Sequence, residues 1–298
     1  MFVFSVTTAL VIGDQQKVSV IVPAAEMVAV LAALALIRTL QVKAFASIQL
    51  APTLAAIAGQ GRGILEDLYP RPYTADRRPA APLPPRHRAI LWPHRQAILQ
   101  QLDLRRLLAA AAGTVIVLRA GMGDTLQQGA PVADLHGGEV ADTAVLRGLV
   151  TGPERTFDQD PLFAFRLLAD IGLRALSPAV NDPATAVQVL DTIESLLQAL
   201  VARDLDVAGV ADDAGTVRVV LVLPSWDDYL RIALDDLIES ASRSPMVLLR
   251  ARDLFITLLT AASPARQPPI TRRLQRAEQL GSGNFPLIWH GATSEETG

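Results

Sequence analysis

Arg166, Asp170 and Arg174 stand four residues apart in a run of leucine and isoleucine, and the run breaks at Ser177-Pro178 before restarting at Asn181-Asp182-Pro183. Residues four apart stack along one helix face, so the spacing predicts an ion ladder in which Asp170 bridges the two arginines. Leu167, Leu168, Ile171 and Leu173 fill the complementary surface, which puts the ladder at a partly buried face or an interface. Pro178 disfavours helical geometry at Ser177 and ends the first helix. Asp182 is suited to accept backbone N–H groups as an N-cap, with Pro183 preset at the first helical position. Asn181 can bond across the corner and Thr185 can add to the next turn. Two readings follow. In one, caps and a satisfied ladder only hold helices together. In the other, Asp160, Arg166, Asp170, Arg174, Ser177, Asn181, Asp182 and Thr185 form a polar site for a small anion, a metal or a partner loop. Arginine neighbours depress carboxylate pKa values, so these groups suit anchoring better than general acid catalysis.

The remaining side chains narrow the chemistry. There is no cysteine, which excludes disulfides, thiolate metal sites and a cysteine nucleophile. His87, His94, His136 and His290 fall at no ligand spacing, so no zinc or iron site is expected. Neither a Gly-x-Ser-x-Gly elbow nor a Gly-x-x-x-x-Gly-Lys phosphate loop occurs. Gly59-Gln60-Gly61-Arg62-Gly63 follows a helical pattern rather than a strand and reads as a helix irregularity. No cofactor is implied. A formal net charge of -3 and a pI near 5.8 supply no field for a phosphate backbone, so nucleic acid is not an expected partner.

Half of the 298 residues are hydrophobic and 19% are charged, with a mean hydropathy of +0.31, whereas a soluble chain carries about a quarter charged residues. Residues 18–37, VSVIVPAAEMVAVLAALALI, have the length a helix needs to cross the hydrocarbon core, ~20 residues for ~30 Å. They read as a membrane helix. A carboxylate in hydrocarbon costs roughly 2 kcal/mol or more unless it faces a partner helix or water, so Glu26, with Pro23, leaves room for a channel or transport-related role. Residues 1–13 are apolar but too short to span, and they lack the features of a secretory signal. They look like the tail of an earlier helix, making residues 1–37 the end of a helical hairpin. Arg38, Lys43 and Arg62 after the span, against Lys17 before it, place the bulk of the chain on the cytoplasmic side of an inner or plasma membrane. A helix from Gln41 to Tyr69, broken near Pro52, leaves the bilayer.

Residues 71–88 are dense in proline and arginine and are expected to hold no regular element, separating a membrane region over 1–70 from a soluble domain over 89–285 with a tail at 286–298. After a strand-like opening, an amphipathic helix from about Arg95 would turn Ile98, Leu102, Leu104 and Leu108 inward. Thr114–Leu118 and Ala130–Leu135 read as strands of a small β-unit turned by Gly121, Gly123 and Gly129. The hairpin resembles those of biotinyl and lipoyl carrier domains, but no lysine follows to take an amide-linked cofactor. Helices are expected over 155–204 outside the corner at 177–182, from the N-cap Ser225 with Asp227 and Asp228 in the first turn, from Pro245 to Ala261, and near Thr271–Leu280. A strand is expected over 216–223. The fold class is α+β, mostly helical: an N-terminal transmembrane helix or hairpin end, then a soluble domain with a small β-unit and a helical bundle.

Residues 157–191, FDQDPLFAFRLLADIGLRALSPAVNDPATAVQVLD, resemble the signature of bacterial predicted membrane proteins grouped as domain of unknown function 2254. That pattern is an acidic pair, a phenylalanine, Arg, Asp-Ile, Arg-Ala-Leu-Ser-Pro, then Asn-Asp-Pro-x-Thr-Ala. The Gly-Asp hairpin at 121–135, GILEDLYP at 63–70 and SRSPMVLLRARDL at 242–254 carry the resemblance over roughly residues 15–280. It implies membrane helices followed by a mixed α and β soluble domain, and no established activity. Members usually have about four membrane helices, of which only the last and a stub are visible in this sequence. The expectation is a membrane-anchored protein in contact with the lipid bilayer, whose soluble domain binds a protein partner or assembles as a homo-oligomer. The alternative is a metal-dependent enzyme acting through Asp160, Asp170 and Asp182.

Overall fold

The computed structural model describes residues 21–48, 50–74 and 82–289. The chain divides into two compact units, Met1–Thr53 and Leu54–Gly298. In the first, helix α1 (Ile21–Ile48) contains most of the expected membrane segment; residues 18–20 lie outside the described residues, as does the apolar stub at 1–13. Among the described residues no helix is long and apolar enough to cross a membrane. The apolar side chains of Met27, Val28, Leu31, Leu34, Leu36 and Ile37 are nevertheless each more than half exposed.

Helix α2 (Leu50–Leu68) begins two residues before Pro52, close to the expected break, and carries the proline in its first turn, where a missing N–H is harmless. Gly59 to Gly63 continues it without irregularity, and Gly61 has a packing reason: an added Cβ would run into the Ala164 side chain.

The expected helix from Arg95 is instead a strand. β1 (Arg86–Leu91) is followed by β2 (Ala97–Leu102), and only Leu104–Ala111 is helical, as α3, with Asp103 accepting the Arg106 N–H as its cap. Leu99 and Leu102 are buried, a spacing of three that reads as helical; in the strand, a register shift between Leu99 and Gln101 lets both face the core. Pairing decides the outcome: β2 lies antiparallel between β4 (Thr125–Leu126) and β6 (Leu149–Gly152), and that ladder overrides the helical propensity of its leucines and glutamines. β1 also begins inside the proline- and arginine-rich stretch expected to hold no element, because Arg86 and Arg88 to Leu91 pair antiparallel with residues 131–136.

The expected hairpin is present as β3 (Val115–Leu118) and β5 (Pro131–His136), with α4 (Asp142–Leu146) before β6. A five-stranded sheet has the order β1-β5-β3-β8-β7, in which β7 (Gly209–Ala211) and β8 (Val217–Val220) come from much later in the chain. β3 and β8 are parallel and the other pairs antiparallel. Between the sheets and α3 sits a core that includes Ile90, Leu99, Leu107, Ile116, Leu135 and Val219, all at most 1% exposed. Each such side chain contributes about 1.5–3 kcal/mol by leaving water.

The helical half comprises α5 (Phe163–Leu176), α6 (Pro183–Val201), α7 (residues 226–240, with a π-helical turn at Arg231–Asp235), α8 (Pro245–Ala261) and α9 (Gln267–Asn284). Residues 155–162, expected to be helical, are loop and turn. α7 starts as expected: Ser225 and Asp228 form a reciprocal capping box. α9 runs longer at both ends than the expected segment. The segment after α9, expected as a loose tail from 286, packs at least as far as Trp289, which is 4% exposed and lies where a Cβ on Gly281 would be.

Candidate functional site

Asp160 has the most constrained carboxylate of the expected polar site. It sits just before α5, 1% exposed, with both carboxylate oxygens accepting hydrogen bonds. Oδ2 receives the Arg155 Nε–H and Nη2–H at 2.7 and 2.6 Å, and Oδ1 receives the Leu162 N–H at 3.1 Å. The Arg155 guanidinium in turn lies 5.5 Å from the centre of the Phe163 ring. Burial pushes the Asp160 carboxyl above its ordinary range, against the pull of Arg155 and of the backbone N–H groups at Leu162 and Phe163.

The Gly-Asp turn of the β-unit closes over this pair. Gly123 adopts φ +86°, and a Cβ there would overlap Asp160 Oδ2 and the Arg155 guanidinium. Only glycine meets both demands. The turn is held by the Gly121 N–H donating to Asp124 Oδ2 at 2.8 Å and by the Gly123 N–H donating to the Leu99 carbonyl at 2.7 Å. Next to Asp160, Gln159 Oε1 accepts the Leu102 N–H at 2.9 Å. Residues 155–162 thus stitch β2 and the Gly-Asp turn to the start of the helical half. Behind them, Tyr69 and Tyr229 share a buried hydroxyl contact of 2.9 Å, and Tyr229 packs edge-on against Phe165. Burial pushes the Tyr69 hydroxyl up to about 12, so both phenols stay neutral at ordinary pH.

The corner at 177–185 lies at the other end of α5, whose 14 residues span about 21 Å. Asp182 accepts the Thr185 N–H at 3.1 Å and its hydroxyl at 2.6 Å, and these bonds hold its carboxyl below the usual range. Ser177 donates its hydroxyl to the Arg174 carbonyl at 2.7 Å. Asn181 sits at φ +46° with its N–H on the Ser177 carbonyl at 2.9 Å, and the Asp182 N–H reaches the Ala175 carbonyl at 2.8 Å. Every one of these bonds closes a helix end.

The ladder has one rung rather than two. Arg166 and Asp170 pair at 3.1 Å with side chains 43% and 48% exposed. Arg174 is exposed and makes no ion pair among the described residues. The physical reason is solvation: on an open face a second guanidinium gains little from sharing one carboxylate. The structure therefore brings Arg166 to Asp170 and groups Ser177, Asn181, Asp182 and Thr185, but sets Asp160 apart from them.

Partners invisible to helical spacing carry the buried electrostatics. Asp134 on β5 is pinned by Arg86 at 2.8 Å and Arg119 at 2.6 Å; burial raises its pKa, and hydrogen bonds from the two arginines outweigh it and leave it lowered. Arg250 of α8 grips Asp191 and Glu194 of α6. Arg273 of α9 joins Asp227 and Asp235 of α7 at 2.6 and 2.5 Å. Buried Arg266 donates to the carbonyls of Leu200, Val201 and Arg203 at the end of α6, where a cation meets the negative end of the helix dipole. Arg155 alone had a local signal, standing five residues before Asp160. Among the described residues no group of three or more histidines or carboxylates is placed to hold a metal ion.

Comparison with known proteins bears on what this arrangement is for. A family model described as predicted membrane protein, domain of unknown function 2254, matches residues 1–257. Uncharacterized proteins of Mycobacterium tuberculosis and Mycobacterium bovis are each 31% identical over 255 residues, covering 80% of this chain and 48% of theirs. The chain thus spans about half the length of the curated relatives it matches. No solved structure matches it.

Proposed function

We propose a membrane-anchored binding protein, from the premise that this chain belongs to the domain of unknown function 2254 family of predicted membrane proteins. α1 is the anchor. The observation that carries this reading is the exposure of Met27, Val28, Leu31, Leu34, Leu36 and Ile37 around the helix: a helix apolar on all sides needs either a protein interior or hydrocarbon around it, and water offers neither. The basic residues after its apolar stretch, Arg38 and Lys43 in the last part of α1 and Arg62 in α2, favour a cytoplasmic side for the rest of the chain. Pro23 and Glu26 within α1 are the features that a transport-related role would use.

Residues 54–289 act in this reading as a water-facing module that binds a protein partner or a second copy of the chain. Its buried charged groups Asp134, Asp160, Glu194 and Arg266 are each committed to an arginine partner or to a helix end, which suits a rigid recognition body. A metal-dependent enzyme would need Asp160, Asp170 and Asp182 on one ion. Asp160 is bonded to Arg155, Asp170 to Arg166, and Asp182 to Thr185, at separate places along α5 and beyond it.

Flotation tests the anchor. Purified full-length chain should rise with neutral phosphatidylcholine liposomes in a density gradient, and the double variant Leu31→Glu/Leu34→Glu should remain at the bottom. Wild-type protein that stays at the bottom in low-detergent buffer contradicts the reading. Chemical crosslinking in native membranes tests assembly: a ladder of discrete multiples or a defined adduct supports a recognition body, and monomer alone argues against it.

A further inference from the structure

A recess of about 300 Å³ lies between the end of α2 and the β-unit. Its walls are Ile64 and Leu68 of α2, Leu102 and Leu104 at the β2–α3 junction, Met122 of the Gly-Asp turn, and Leu221 after β8. The polar groups at its mouth are Asp67, Asp158 and Gln159, and no arginine, lysine or histidine lines it. Gln159 is already bonded to the Leu102 backbone. Asp158 accepts only the Thr156 hydroxyl, at 2.8 Å, and neither Asp158 nor Asp67 has a cationic partner among the described residues. That contrasts with Asp134, Asp160, Asp227 and Asp235 elsewhere in residues 54–298, each of which is paired with arginine.

We propose that this recess binds a small amphiphilic cation, a primary alkylammonium whose chain lies against Ile64, Leu104 and Met122 and whose head sits between Asp67 and Asp158. An apolar pocket with a few convergent polar groups at its mouth is the usual form of a small-molecule site, and this volume is at the lower end of that class, suited to a chain of about six to eight carbons. Charge complementarity sets the head group: two solvated carboxylates with no competing cation favour an ammonium over a neutral or anionic head. Met122 is the adaptable wall, since its unbranched thioether can follow chains of different length. The site lies wholly within residues 54–298, so it stands or falls independently of the membrane reading.

The test is calorimetric titration of purified full-length chain in an uncharged detergent, against a micelle blank, with hexylammonium, hexanol and hexanoate. An exposed charge pair contributes about two- to five-fold in affinity. Hexylammonium is therefore expected to bind saturably and about four- to 25-fold more tightly than hexanol, with hexanoate giving no saturable heat. Asp67→Asn/Asp158→Asn, which changes only exposed groups, should bring hexylammonium down to the affinity of hexanol. Leu104→Trp, which fills the recess, should abolish binding of both while unfolding at a temperature close to wild type. Equal affinity for hexylammonium and hexanoate, an unchanged affinity in the double variant, or no saturable heat from hexylammonium would overturn the assignment. So would undiminished binding in a folded Leu104→Trp protein.

Discussion

Replacing Gly123 with alanine isolates the contact that joins the β-unit to the helical half. Two costs add. An L-residue held at a positive φ loses about 1–2 kcal/mol, and here φ is +86°. The new Cβ also falls on the Arg155–Asp160 pair, and breaking a buried ion pair costs about 3–5 kcal/mol because a charge is left without its partner. Partial relief by side-chain movement brings the expected total to about 4 kcal/mol. Gly129 is the internal control: it has a similar φ of +81° with nothing within 4 Å of its would-be Cβ, so Gly129→Ala should lose only the backbone part, about 1–2 kcal/mol. Urea unfolding of the full-length chain in mild detergent, followed by tryptophan fluorescence, measures both. At a slope of roughly 2 kcal/mol per molar, Gly123→Ala should lower the midpoint by about 2 M and Gly129→Ala by less than 1 M. In an Asp160→Asn background the cost of Gly123→Ala should shrink by at least about 1 kcal/mol, since the two sites are in contact. Equal losses for the two glycines, or strict additivity with Asp160→Asn, would refute the reasoning.

The same assay separates cap from ladder. Asp182→Ala should cost about 1 kcal/mol as a lost N-cap, and Asp170→Ala less than about 0.5 kcal/mol as a lost exposed pair; the reverse order would contradict the geometry at 166–185. Arg250→Met leaves Glu194, whose side chain is 11% exposed, with only the Gln198 amide. It should cost about 3 kcal/mol, with most of that recovered in Arg250→Met/Glu194→Gln; a double variant no better than the single one would point to lost packing instead. Acid titration has a definite sign at Asp160. Its folded pKa is raised by burial, so the folded state holds the proton more tightly and this group adds stability as pH falls from the raised value toward the unfolded value of about 3.9. Asp134, held low by Arg119 and Arg86 against the effect of burial, and Asp182, held low by Thr185, work the other way. They stabilise above the unfolded value and lose that contribution as pH falls through their lowered ones. Asp160→Asn should therefore lose stability more steeply on acidification than wild type, and parallel slopes would contradict the assignment.

Local signals in the sequence were strong wherever a rule needs only a few adjacent residues. Ser177-Pro178 and Asp182-Pro183 placed the corner because proline and N-cap chemistry act within one turn, and Ser225 and Pro245 did the same for α7 and α8. β2 shows where such signals end. AILQQL reads as part of a helix until its partners are known, and those partners, β4 and β6, lie about 25 and 50 residues further on, beyond the range of any periodicity. The parallel pairing of β3 with β8 is more distant still. The candidate site divides along the same line. The residues from 177 to 185 were legible because their bonds are local, whereas the Arg155–Asp160–Gly123 contact needed a turn and a loop from different parts of the chain to meet. Charge periodicity overstated the ladder at 166–174, since spacing puts side chains on one face without saying whether water covers it.

The anchor reading depends on what surrounds the apolar circumference of α1. Alkaline carbonate extraction of membranes from cells making the full-length chain addresses it directly, because high pH strips proteins held by charge and leaves those held by hydrocarbon contact. The account predicts that the chain stays in the membrane pellet and that Leu31→Glu/Leu34→Glu moves it to the supernatant. Recovery of the wild-type chain in the carbonate supernatant would contradict it.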